Sequence, residues 1–133
     1  MLTASDFQRA AEQRFTTTEF LLERSYPLDA FYLAGYSVEC MLKALVMHRT
    51  LAAGHAATFQ RLKSGASMHY PERLNQELKG LGYPMPLDLV KRFRRFSWST
   101  ELRYAPGRWP PSEVLGYLRA AKQAIDWVNG EIA

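Results

Sequence analysis

The 133-residue chain has a single cysteine, Cys40, so no internal disulfide can form and nothing calls for an oxidising compartment. Histidines are as scarce: His48, His55 and His69 are scattered, and with one cysteine they do not make a four-ligand structural zinc site. Valine and isoleucine are sparse and period-two alternation is missing, which argues against strands. No stretch reaches the ~18 apolar residues of a membrane span; the best, Ala30 to Val38, is stopped by Glu39 and Lys43. The start, Met1-Leu2-Thr3-Ala4-Ser5-Asp6, has neither the basic nor the apolar region of a signal peptide, so a cytoplasmic protein is expected. The phosphate-cradling G-x-x-x-x-G-K, the dinucleotide G-x-G-x-x-G, the zinc-binding H-E-x-x-H and the nucleophile elbow G-x-S-x-G are all missing. Seven prolines and eight glycines are too few for a collagenous or low-complexity chain.

What is present is helical periodicity. From about Ser5 to Arg24, Phe7, Ala10, Ala11, Phe15, Thr18, Leu21 and Leu22 form one stripe, with Ser5 or Thr3 as the cap. From Pro27 to Thr50, Phe31, Leu33, Ala34, Val38, Met41, Leu42, Leu45 and Val46 wrap most of the circumference, which marks the central helix. Gly35 and Ser37 are costly inside such a helix unless a neighbour packs close, so a tight helix crossing is expected there. Leu51 to Ser67 reads as either a short helix or a loop. A short helix spans Glu72 to Lys79, and a longer one follows Pro86 through Phe96. Trp98 to Pro111, with three prolines and a glycine, reads as a structured loop. Ser112 caps a last helix that Gly130 ends. The expected fold is a single all-α domain over 1–133: an up-and-down antiparallel bundle of four long helices plus a short one.

Charge is uneven within a formal net charge of +4. Lys91, Arg92, Arg94, Arg95, Arg103 and Arg108 face one acid, Glu101, and alternate with Phe93, Phe96, Trp98, Tyr104 and Trp109. Such a cluster either draws polyanions and stacks bases or is simply a solvated face beside an aromatic core edge. Cys40, next to Glu39 in the buried helix, reads as core rather than nucleophile.

The stretch Ala30-Phe31-Tyr32-Leu33-Ala34-Gly35-Tyr36-Ser37-Val38-Glu39-Cys40-Met41-Leu42-Lys43-Ala44-Leu45 resembles the second helix of HEPN domains, with its pattern A-x-Y-L-A-x-x-A/S-V-E-x-x-L-K-A. His69 followed by Leu74 is similar to the family's H-x-L-x-x-L segment, stretched here by Tyr70-Pro71. Glu101-Leu102-Arg103-Tyr104 resembles its R-Y element, and Ala120 to Val128 its closing helix. The resemblance implies a homodimer or a pairing with a partner such as a minimal nucleotidyltransferase. It implies a role in toxin–antitoxin, antiviral or RNA-processing systems, with RNA or a nucleotide as ligand and no cofactor. Many members are metal-independent ribonucleases carrying R-x4–6-H, in which a histidine handles the 2′-hydroxyl proton and an arginine holds the phosphate.

Here the pattern breaks. Counting from Arg103, the histidine's place falls on Arg108, Trp109 or Pro110, and arginine does not serve as a base near neutrality. Arg49-x5-His55 has the letters of the motif at the wrong end of the second helix. Catalysis is therefore expected to be impaired, with His69 the alternative base and Arg103 the phosphate-stabilising residue. Arg103, Arg108, Tyr104, Glu39, Lys43, Arg94 and Arg95 are the candidate binding residues, and no metal ligands are expected. Glu39, Lys43, Arg103 and Tyr104 also read as a buried polar network, in which Arg103 is the expected partner of Glu39.

Overall fold

The computed structural model describes residues 1–133 and is entirely helical. The helices are α1 (Ala4–Glu23), α2 (Pro27–Arg49), α3 (His55–Ser64), α4 (Pro71–Gly80), α5 (Leu87–Arg94) and α6 (Pro111–Ile132), with short 3-10 turns at Ala52–Gly54, Ala66–His69 and Thr100–Tyr104. Three helices are long, at 20, 23 and 22 residues, rather than the expected four. The stretch 51–67, left open between helix and loop, contains α3, which buries Thr58 and Leu62.

Helix α1 starts where the sequence provides a reciprocal cap. The Thr3 hydroxyl accepts from the Asp6 amide, and the Asp6 carboxylate accepts from the Thr3 amide at 2.8 Å. Those contacts with Thr3, and then Arg9, hold the Asp6 carboxyl below its ordinary range. At α6 the expected cap fails: Pro111 takes the first helical position, and Ser112 lies inside the first turn without capping it. Proline's preset φ begins the helix without a side-chain cap. Nor does Gly130 end α6, which runs on to Ile132.

The arrangement also departs from simple up-and-down order. Ser25, with φ of 66°, turns the chain between α1 and α2, and these pack as an antiparallel pair. The Ser37 hydroxyl donates to the Ala11 carbonyl at 2.7 Å, so the close crossing expected at Ser37 is present. Helices α2 and α6, however, run parallel. Phe31 near the start of α2 meets Tyr117 near the start of α6 at 4.9 Å, while Arg49 at the end of α2 donates to the Glu131 carbonyl at 2.8 Å. The short helices α3, α4 and α5 carry the chain back to the end from which α2 began, the crossover that a parallel neighbour requires.

Helix α2 is the centre. Ala30, Phe31, Ala34, Val38, Met41, Leu42, Ala44, Leu45 and Val46 have no exposed surface. It is the one helix whose length and mean hydropathy, 1.3 over its most apolar window, suffice to cross a membrane, but 78% of that window lies inside this fold. Gly35 makes room for an indole rather than for a helix. Trp98 presses on it and donates its Nε1–H to the carbonyls of Phe31 and Tyr32, at 3.1 and 3.0 Å.

Candidate functional site

One edge of α2 carries Tyr32, Tyr36, Glu39, Cys40 and Lys43, and loops from two other parts of the chain complete it. Glu39 and Lys43, one helical turn apart, form the expected pair: Lys43 Nζ donates to Glu39 Oε2 at 2.7 Å. Both are almost buried, at 8% and 6% exposure, so each needs the other's charge.

The second partner of Glu39 is His69, not Arg103. His69 Nδ1 lies 2.8 Å from Glu39 Oε1. The local chain explains the placement. Pro71 opens α4 and forces the preceding Tyr70 into extended backbone, while Met68 plugs the core at 3% exposure. Between that anchor and that stop, the turn Ala66–His69 presents its histidine to α2. In the neutral ring Nδ1–H donates to the carboxylate, leaving the Nε2 lone pair pointing away from Glu39; Nε2 has no partner in the chain, and the side chain is 37% exposed.

Tyr36 stands beside this pair. Its ring meets His69 edge-on at 6.0 Å and Trp98 at 5.4 Å, and its hydroxyl is 3.3 Å from that of Tyr32. Burial, then the hydrogen bond with Tyr32, then the charge of Glu39, push the Tyr36 phenol up to about 12, against an opposing pull from Arg103. Burial, followed by Glu39, pushes the Cys40 thiol up to about 11, so Cys40 is protonated near neutrality, as its reading as a core residue requires.

Arg103 is on the surface, in the turn Thr100–Tyr104, with its guanidinium 5.0 Å from the Tyr104 ring centre. It pairs with no carboxylate, and Tyr104 is 75% exposed, so neither joins a buried network with Glu39. The reason is local: Leu102 is the residue of that turn that enters the core, which leaves its neighbours outside. The positive charge of Arg103 is the one contribution that pulls the Tyr36 phenol down, while the His69 ring packs edge-on against the Tyr36 ring.

The other cations do not converge there. Arg108 lines a depression with Ser25, Tyr26 and Asp29, at the first turn of α2. Nine residues of helix between Pro27 and Tyr36 span about 13 Å. Arg94 pairs with Glu72 at 2.8 Å, and Arg92 donates to Gln123, whereas Lys91 and Arg95 are exposed without ion pairs. Arg49 stacks on Tyr83 at 4.0 Å, and His55 contacts the Thr50 carbonyl, so the Arg49-x5-His55 spacing builds no joint site. No three His, Cys, Asp or Glu side chains are grouped to hold a metal ion.

Chemically, a carboxylate-oriented imidazole with a partly exposed nitrogen can accept a proton, and an arginine without an ion pair can hold a phosphate. His69 was legible as a candidate base, but what would orient it was not; only the residue type and the carboxylate on α2 hinted at the pair. Comparisons of the chain with protein-family models, curated proteins and solved structures returned no match.

Proposed function

We propose that this chain is an HEPN-like, cytoplasmic, RNA-facing protein of a toxin–antitoxin, defence or RNA-processing pair, binding RNA across the His69, Tyr36 and Arg103 face. The observation that carries the reading is the 2.8 Å contact of His69 Nδ1 with Glu39. With Nδ1 engaged, Nε2 takes the proton of a 2′-hydroxyl, whose oxygen attacks the adjacent phosphorus and expels the 5′-oxygen. Arg103 neutralises the charge that grows on the phosphoryl oxygens. No metal takes part in that scheme. The departing 5′-oxygen takes its proton from water, because no second histidine joins His69, and turnover is slow on that account.

The test is incubation of the purified protein with mixed RNA in EDTA, alongside Arg103→Ala and His69→Asn. Cleavage that survives EDTA and is lost in both variants supports the scheme. Salt-sensitive binding without cleavage, weakened by Arg103→Ala, retains the RNA-facing role and removes the catalytic one. Neither binding nor cleavage refutes both. The second reading, a non-enzymatic partner of a minimal nucleotidyltransferase, is favoured by the exposure of Arg103 and Tyr104, which leaves them free for a protein surface.

The chain acts as a homodimer in this proposal. Phe15, Leu22, Leu115 and Leu118 line a groove between α1 and α6, with Leu115 42% exposed. Light scattering should give twice 15.2 kDa, falling to the monomer mass in Leu115→Glu. A monomeric parent protein at micromolar concentration overturns the dimer.

A further inference from the structure

The groove between α1 and α6 has unlike rims. Glu19 and Glu23 stand along the α1 side, Arg119 and Lys122 along the α6 side, and Leu22 and Leu115 lie between them. Lys122 is engaged with Asp126 of its own helix at 2.7 Å, whereas Glu19, Glu23 and Arg119 are exposed and form no ion pair. The antiparallel register of α1 against α6 is fixed at the far end, where Gln8 donates to Asn129 at 2.6 Å. Fourteen residues on from Gln8 along α1 comes Leu22, and fourteen back from Asn129 along α6 comes Leu115. Both steps are about four helical turns, so the two leucines stand at one level. By the same count Glu19 is level with Leu118, beside Arg119.

A second copy can close over this groove about a two-fold axis set in either of two directions. With the axis across the groove, α1 meets the partner's α1 and α6 meets the partner's α6. Glu19 and Glu23 then oppose the same acids, and Arg119 and Lys122 the same bases. With the axis along the groove, each α1 lies against the other copy's α6, and levels are preserved. Glu19 then meets the partner's Arg119, and Leu22 meets the partner's Leu115, once on each side of the axis. Like charges face to face cost binding, and opposite charges fix orientation, so the two arrangements are unequal. We infer that the second copy docks in the latter way, α1 against α6 on both sides, a pairing that rests on the homodimer reading. Any occupant of the groove must offer a basic rim to its acids, an acidic rim to its bases and an apolar seam between. This chain, turned about that axis, supplies all three. The pairing covers Leu115, the most exposed apolar side chain of the groove.

Sedimentation equilibrium of the intact protein gives the dimer dissociation constant. Arg119→Glu turns two attractive contacts into repulsive ones and should raise that constant at least about tenfold. Adding Glu19→Arg restores opposite charges and should bring it back to within about threefold of the parent. Both positions are exposed, and circular dichroism checks that the helices are kept. Cross-linking reads the orientation without charge reversal. In a Cys40→Ala background, oxidation should join Glu19→Cys chains to Arg119→Cys chains when the two are mixed, and should not join Glu19→Cys chains to one another. A monomeric parent protein overturns the homodimer reading and this pairing with it, and leaves the groove to a different partner. A dimeric parent unmoved by Arg119→Glu, or Glu19→Cys chains that cross-link to one another, overturns the pairing alone and leaves the dimer standing.

Discussion

Replacing Gly35 by alanine tests how the site is held together. A Cβ at that position would lie 1.8 Å from Trp98 Cε2 and 2.1 Å from its Nε1. Carbon atoms in contact rest ~3.5–4.0 Å apart, so the indole must retreat by roughly 2 Å. That movement breaks both hydrogen bonds from Nε1 to the carbonyls of Phe31 and Tyr32 and strands a buried donor, a loss of about 1–3 kcal/mol. It also disturbs the edge-on contacts of Trp98 with Tyr36 and Tyr70, each worth about 0.5–1.5 kcal/mol. Against this, alanine favours the helix over glycine by about 1 kcal/mol. The expected net destabilisation is about 2–3 kcal/mol, measured by urea unfolding followed by circular dichroism, with a fall in Tm of roughly 10 °C. A double-mutant cycle isolates the cause. In a Trp98→Leu background the same Gly35→Ala change should cost little or nothing, because the indole it strikes is gone. An equal cost in both backgrounds, or a cost below about 1 kcal/mol in the parent, refutes the argument.

Glu39→Gln leaves the buried Lys43 ammonium facing a neutral amide, so it should destabilise by about 3 kcal/mol in the same urea assay, and Glu39→Gln with Lys43→Met should recover most of the loss. Ser37→Ala removes the hydrogen bond to the Ala11 carbonyl that joins α1 to α2, at an expected cost of about 1 kcal/mol, whereas Ser37→Leu should cost more by forcing the helices apart. The folded chain holds the Cys40 proton up to about 11 and the Tyr36 proton up to about 12, while the unfolded chain releases them near their ordinary values of 9.0 and 10.0. The native state thus binds more protons above pH 9, and stability should be level below that pH and fall as pH rises toward 12. Iodoacetamide labelling of Cys40 reads the same effect, slow at pH 8 and rising about tenfold per pH unit until the thiol ionises.

Much of the secondary structure was legible because it is local. The stripe in α1, the apolar wrap around most of α2 and the Glu39–Lys43 pair depend on spacings of three or four residues, which a helix converts directly into neighbours. The Thr3–Asp6 cap is likewise contained in one turn. Where two residue types competed for one task at close range, as Pro111 and Ser112 did at the start of α6, the covalently preset φ of proline took the position.

The candidate site was legible in its parts and not in its pairing. The sequence pointed to His69 and to Glu39, but they are 30 residues apart, and charge alone made Arg103 the more obvious partner for the acid. What brought His69 to Glu39 was the anchoring of Met68 in the core and the extended backbone before Pro71; what kept Arg103 outside was the inward turn of Leu102. Sequence by itself determined that this chain is helical, that α2 is its buried axis and that Glu39 and Lys43 meet, because each follows from periodicity or adjacency. Only the tertiary structure decided that α2 and α6 run parallel, that Gly35 receives Trp98, and that an imidazole rather than a guanidinium completes the carboxylate. Those outcomes turn on how rigid, close-packed elements fit together across long separations, which no local pattern encodes.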